Sequence, residues 1–257
     1  MPARDLALLE ETAREAGDIA RSFWREDPRV WDKGSDDPVS EADFAVDEHL
    51  KERLLAARPD YGWVSEETED DPERLQASHV FIVDPIDGTR SFVAGDKTWA
   101  HSLAIAEHGR IVAACVFLPL RDKMYLSRLG QGATLNGETI RVRETESLKG
   151  ATVLSPKVNF KPEFWEGEPP DLERHFRPSL AYRLALVAEG RFDAMMTFHP
   201  AWEWDIAAGA LIAEEAGGRV MDRHGAPLTF NSPARQTAGV LTANPKLAEA
   251  LQARLKH

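Results

Sequence analysis

Asp84 and Asp87 stand three residues apart in Val83-Asp84-Pro85-Ile86-Asp87-Gly88-Thr89-Arg90-Ser91-Phe92, directly behind the apolar run Val80-Phe81-Ile82-Val83. A strand ending at Asp84 presents that carboxylate at a sheet edge, where ligands tend to bind, and one turn after Pro85 folds Asp87 onto the same point. Two carboxylates held that close repel each other unless a proton or a cation sits between them, and hard oxygen ligands suit Mg2+ or Mn2+. Gly88 permits a ligand to approach the backbone closely. A helix opening at Thr89 would set unpaired N–H groups, an anion site, beside the cation. Cation and anion pockets side by side describe a phosphate ester held on a metal. Taken alone, the same residues also describe a capped surface turn.

Three more acids stand at comparable places. Glu66 follows the short predicted strand Tyr61–Val64, in Ser65-Glu66-Glu67. Asp43 lies in a predicted helix behind Val39-Ser40, and Asp205 near the start of the helical pattern Trp204–Ala216. Each by itself reads as a solvated charge or a helix cap. The eight histidines show no obvious metal spacing. His101 and His199, the nearest to these motifs, read as packing or hydrogen-bonding groups. The single cysteine, Cys115, sits within Ile111–Leu118 and reads as a small buried hydrophobe; no internal disulfide is possible, and a reducing compartment fits.

Positioning those acids falls to a chain of 257 residues, 43% hydrophobic and 29% charged, enough for a core in one large domain or two smaller ones. A net charge of -12 argues against a nucleic-acid polymer as partner and is equally the surface of an ordinary cytoplasmic protein. No apolar stretch approaches the roughly 18 residues of a membrane span. The N-terminal stretch reads as an amphipathic acidic helix rather than a signal peptide.

Apolar spacing predicts helices over 4–25 and 40–57, separated by the polar loop Asp32-Lys33-Gly34-Ser35-Asp36-Asp37-Pro38. Strands are predicted at 80–83, 102–107, 111–118 and 123–127, with hairpin turns at His108-Gly109-Arg110 and Asn136-Gly137. This meander can bury one face against the two helices. The segment 157–178, rich in proline and charge, reads as a surface loop. Beyond it come a helix over 179–189, a strand over 193–198, a helix over 203–216 closed by Gly217-Gly218, strands at 219–221 and 239–242, and a last helix over 245–256. The division is an N-terminal α+β subdomain, 1–148, and a C-terminal α/β subdomain, 149–257.

Four segments carry a resemblance. VDPIDGTRSF, EWDIAAGALIAEEAGG (Glu203–Gly218), SEE (Ser65–Glu67) and PVSEAD (Pro38–Asp43) are similar, in order and spacing, to the signatures of the inositol monophosphatase family, and the similarity runs from about Leu6 to Leu251. It implies a layered αβαβα sandwich, a Mg2+-dependent and Li+-sensitive phosphomonoesterase, a homodimer and a small phosphorylated metabolite as substrate. It implies that Glu66, Asp84 and the Ile86 carbonyl hold a first metal, and that Asp84, Asp87 and Asp205 hold a second. A third, weaker ion near Glu66 is possible in the family, and Mn2+ is a substitute. Gly88 and Thr89 would donate backbone N–H groups to the phosphate. Glu66 and the Thr89 hydroxyl would orient the attacking water, with Asp43 supporting Thr89.

The chain also departs from the family pattern. Phe198 stands where inositol-selective members carry a glutamate, and a phenylalanine there could stack on a base. Pro178-Ser179-Leu180 replaces a glycine-serine-alanine signature. These changes point toward a nucleotide such as 3'-phosphoadenosine 5'-phosphate or toward broad specificity, with Arg177 and Arg183 as candidates to meet a second phosphate; a histidinol phosphatase is a further alternative within the family. Trp202 and Trp204 read as packing. A regulatory homologue that binds metal without turnover is the non-enzymatic alternative.

Overall fold

The computed structural model describes residues 2–32, 34 and 38–256; Lys33, Ser35, Asp36 and Asp37 of the polar loop lie outside it. Helices α1 (Pro2–Phe23) and α2 (Glu41–Ala57) flank a two-stranded ribbon, β1 (Val30–Asp32) with β2 (Pro38–Ser40). A seven-stranded sheet follows, in the order β3 (Gly62–Ser65), β4 (His79–Asp87), β5 (Ala100–Glu107), β6 (Arg110–Leu118), β7 (Lys123–Arg128), β8 (Ala133–Leu135) and β9 (Glu138–Thr139). Only the β3–β4 pair is parallel. The short helix α3 (Thr89–Val93) sits between β4 and β5.

The remaining chain forms a mixed five-stranded sheet from β10 (Thr152–Leu154), β11 (Glu173–His175), β12 (Ala194–Thr197), β14 (Arg219–Met221) and β16 (Val240–Ala243), in the order β11-β10-β12-β16-β14. A second ribbon pairs β13 (Ala201–Trp202) with β15 (Gln236–Thr237). Its helices are α4 (Leu180–Ala188), α5 (Glu203–Glu215) and α6 (Pro245–Gln252).

Three cores define five layers. Leu9, Ala13 and Ala16 of α1 and Val46, Leu50 and Leu54 of α2 pack on Phe81, Leu103, Cys115 and Phe117, one face of the first sheet. The other face, with Ile82, Ala104, Ala114 and Val116, packs on α4 and α5. These two helices in turn touch the second sheet through Met195 and Val240, and α6 covers that sheet's far side with Leu247 and Leu251. The order is helices, sheet, helices, sheet, helix: the αβαβα sandwich.

Both faces of the meander are therefore buried, where the pattern led us to expect one. The strands show why: Leu103-Ala104-Ile105-Ala106 is continuously apolar, as a doubly covered strand must be. Where α4 crosses α5, a side chain at Gly209 would stand 2.6 Å from Leu184 Cβ, so the close approach needs glycine. The segment 157–178 is more than a surface loop. It contains two 3-10 turns and β11, and it buries Trp165 completely, with the indole N–H donating to the Asn159 carbonyl at 2.7 Å.

Candidate active site

Strand β4 runs through Pro85 to Asp87 rather than stopping at Val83. Asp84 pairs with Ser102 and Asp87 with Ala100, with a register shift between them. Proline is tolerated there because a bulge asks for no ladder N–H. The freed Pro85 carbonyl accepts a short hydrogen bond from Nδ1 of the fully buried His101, which fixes that ring's tautomer. Burial also pulls the His101 pKa down to about 4, so the ring is a neutral structural donor. Glu66 follows β3, and its backbone N–H donates to the Val83 carbonyl at 3.3 Å, which seats it beside Asp84.

Asp205 arrives from the opposite layer, in the first turn of α5, where a helix N-terminus favours a carboxylate. Ser102 of β5 donates its hydroxyl proton to the Trp204 carbonyl at 2.8 Å and ties that turn to the first sheet. Asp87 is held by α4: its Oδ2 accepts from Ser179 Oγ at 2.7 Å and the Ala181 N–H at 2.6 Å, and its Oδ1 from the Leu180 N–H at 3.1 Å. Sequence reading did not find that clamp, because the partners stand 92 to 94 residues away.

Glu66, Asp84, Asp87 and Asp205 line one cavity of about 590 Å³, together with Ile86, Gly88 and Thr89. Asp84, buried, and Asp205, half-buried, line this cavity from facing layers. Burial first, and then the neighbouring carboxylates, push both well above the usual carboxylate range. Asp87 is raised to about 6, chiefly by burial, against the pull of its three hydrogen bonds. Asp84 Oδ1 is buried with no protein partner. A cluster of this kind needs protons or cations to be compatible with neutral pH, and its all-oxygen donors fit a hard divalent ion. Among the described residues no three such groups are already closed to metal-ligand geometry, so the acids surround an open cavity.

Asp43 stands behind this cluster. Its Oδ2 accepts from the Ser40 N–H at 2.8 Å and Ser40 Oγ at 2.5 Å, a capping box at the start of α2. Its Oδ1 accepts from Thr89 Oγ1 at 3.0 Å, a proton for which the Ile86 carbonyl competes at 3.1 Å. Burial raises Asp43 to about 6. Gly88 caps α3 with φ 101°, a left-handed conformation natural to glycine, and the first N–H groups of a helix have no partner within it.

The substrate-pocket expectations divide. Arg183 lines the cavity, 6% exposed, held by Nε to the Arg177 carbonyl at 2.5 Å and by one terminal nitrogen to the Pro178 carbonyl at 3.1 Å. Desolvation brings its pKa down to about 10, opposed by Asp87 and Asp205. Arg177 turns away: its guanidinium lies 5.7 Å from the Phe192 ring. Phe198 cannot stack on a ligand in this cavity. It is 1% exposed, in the core under the second sheet, with its ring 5.3 Å from Phe164 and 5.7 Å from Trp165. Trp202 and Trp204, read as packing, both line the cavity, and Trp202 is 38% exposed.

Comparison with known proteins agrees with the geometry. The model of the inositol monophosphatase family matches residues 2–256. An inositol-1-monophosphatase of Rhizobium meliloti is 34% identical over 96% of this chain and 94% of its own. A protein named Nus factor SuhB, from Pseudomonas aeruginosa, is 35% identical over 86% of this chain and 85% of its own. The solved structure of a Thermotoga maritima IMPase superposes with a TM-score of 0.83 at 28% identity, over 98% of this chain and 96% of that one. Acids converging from two layers on one pocket, the five-layer sandwich and a match along nearly the whole chain lead to one conclusion: the chain belongs to the inositol monophosphatase family and is a metal-dependent phosphoric monoester hydrolase.

Proposed function

We propose that the working cation is Mg2+, two or three ions per site with Mn2+ able to substitute, and that the substrate is a small phosphorylated metabolite. The observation that carries this reading is the convergence of four carboxylates, Glu66, Asp84, Asp87 and Asp205, on one cavity from two layers of the fold. Glu66, Asp84 and the Ile86 carbonyl would hold one ion, and Asp84, Asp87 and Asp205 another. When bound, the cations supply Lewis acidity and neutralise charge developing on the phosphoryl group.

The chain's own residues do the rest. Gly88 and Thr89 offer backbone N–H groups to the phosphate oxygens. Glu66 and Thr89 orient the attacking water. The Thr89 hydroxyl proton can pass to Asp43 Oδ1, which frees the Thr89 oxygen to take a proton from that water. A carboxyl with a pKa raised to about 6 is a suitable acceptor near neutral pH. The phosphate site requires no serine, cysteine or histidine nucleophile.

Arg183 favours a second reading within the same class, a substrate carrying a further anionic group such as 3'-phosphoadenosine 5'-phosphate. From the family we also propose a homodimer and sensitivity to Li+. No described helix is long and apolar enough to cross a membrane. The test is phosphate release from inositol 1-phosphate, 3'-phosphoadenosine 5'-phosphate, histidinol phosphate and fructose 1,6-bisphosphate, with Mg2+ or EDTA and with or without Li+. Mg2+-dependent release from at least one ester is expected. Mg2+ binding with no release from any would favour a regulatory homologue, a role consistent with the name Nus factor borne by some relatives.

A further inference from the structure

We propose that Trp202 is a stacking platform that selects phosphate esters whose alcohol carries a flat aromatic ring; this rests on the phosphatase reading above. Trp202 immediately precedes α5, and its backbone is pinned by the pairing of β13 with β15, opposite Gln236. Its ring lies 4.7 Å from that of Trp204 with the planes 8° apart. Trp204 is itself buried, and its carbonyl is held by Ser102. One face of Trp202 is thus backed by a rigid, anchored indole.

Arg235 leaves the other face of Trp202 uncovered. The Arg235 guanidinium lies 5.8 Å from the Trp202 centroid and 5.9 Å from that of Trp204. Near-equal distances put it alongside the pair and not on the outer face of Trp202. With 38% of its surface exposed, Trp202 keeps a large apolar area in water on the wall of the cavity that holds Asp84 and Asp205. Phe176, 48% exposed, lines the same cavity beside the Arg183 guanidinium, 4.4 Å from its ring.

Position gives the platform its use. Asp205 is three residues from Trp202, in the first turn of the helix that Trp202 caps. The acid cluster and the indole are therefore held at a fixed separation by one short rigid segment. A phosphate placed among the acids leaves its alcohol beside the open indole face. A polyol gains little from such a surface, whereas an aromatic ring gains stacking on a side chain with few rotamers to lose.

The test uses the Mg2+-loaded protein with two esters, 1-naphthyl phosphate and glycerol 2-phosphate, and two non-hydrolysable ligands, naphthylmethylphosphonate and methylphosphonate. In Trp202→Ala the ratio of kcat/KM for the naphthyl ester over the glycerol ester should fall about tenfold, and the ratio of calorimetric affinities for the two phosphonates likewise. Trp202→Phe should keep most of both ratios. Ratios unchanged in Trp202→Ala overturn the proposal, even if turnover itself falls. If the wild type hydrolyses neither ester yet loses its phosphonate preference in Trp202→Ala, the phosphatase reading fails and the platform stands.

Discussion

Replacing Asp87 by Asn should remove a pH-dependent destabilisation of the cation-free protein together with its response to Mg2+. In the fold, the Asp87 carboxyl is raised from 3.8 to about 6, burial outweighing the hydrogen bonds from Ser179, Ala181 and Leu180. Between those pH values the folded chain holds a proton that the unfolded chain has lost. Stability from this group is therefore complete below about pH 4 and declines as pH rises toward 6. A rise from 3.8 to about 6 corresponds to about 3 kcal/mol. Asp87→Asn lacks this dependence. It also relieves Asp84 and Asp205, which Asp87 pushes up, an effect of the same sign. His101 contributes the opposite slope over a similar range, but it is present in both proteins and cancels in their difference. In EDTA, the excess in Tm of Asp87→Asn over wild type should widen by about 6–12 °C between pH 4 and 6.5, at 2–4 °C per kcal/mol for a chain of this size. At pH 7.5 with Mg2+ at a hundred times its Kd, the wild type should regain about 2.7 kcal/mol and the variant much less. Differential scanning fluorimetry reads both. A gap independent of pH, or equal stabilisation of both proteins by Mg2+, refutes the reasoning.

Thr89→Ala should lower kcat by about a hundredfold, and Asp43→Asn comparably, because each breaks the route from water to the Asp43 carboxylate; phosphate-release kinetics check both. Arg74 is buried and donates to Asp70, to the Asn231 side-chain oxygen and to the Ser232 carbonyl, while Glu203 accepts the Asn231 and Ser232 N–H groups. Arg74→Ala strands that network and should cost about 3 kcal/mol in urea unfolding. Gly209→Ala should force α4 and α5 apart and cost about 1–3 kcal/mol, read as a lower urea midpoint at unchanged slope.

The acid cluster was legible because its members sit at element ends, where sequence punctuation is strongest. Asp84 and Asp87 follow a run of apolar residues, Glu66 follows β3, and Asp43 and Asp205 open helices. Helix positions were readable from the 3.6-residue period of α1 and α2 and from the Gly217-Gly218 stop. What failed depended on partners far along the chain. The second cover on the meander is α5, about a hundred residues downstream of β5, and nothing local announces it except unbroken apolarity. Phe198 looked like a pocket residue by position in its motif, but β12 turns it toward Phe164 and Trp165. Those aromatics lie in a stretch whose prolines and charges hid its core. Trp202 and Trp204 could not be placed without knowing that β13 meets β15.

Helices α4 and α5 lie between the two sheets and share a core with both. Asp205 and the groups that clamp Asp87 ride on these same two helices. The pocket is thus also a gauge of assembly. Any opening that slides this middle layer off the first sheet disperses the acids and exposes the apolar faces in one event, so cation affinity should vanish along with tertiary order rather than persist in a half-open form. A cation bound there would act as a rivet through two layers, resisting separation of parts of the chain that meet only when folding is complete.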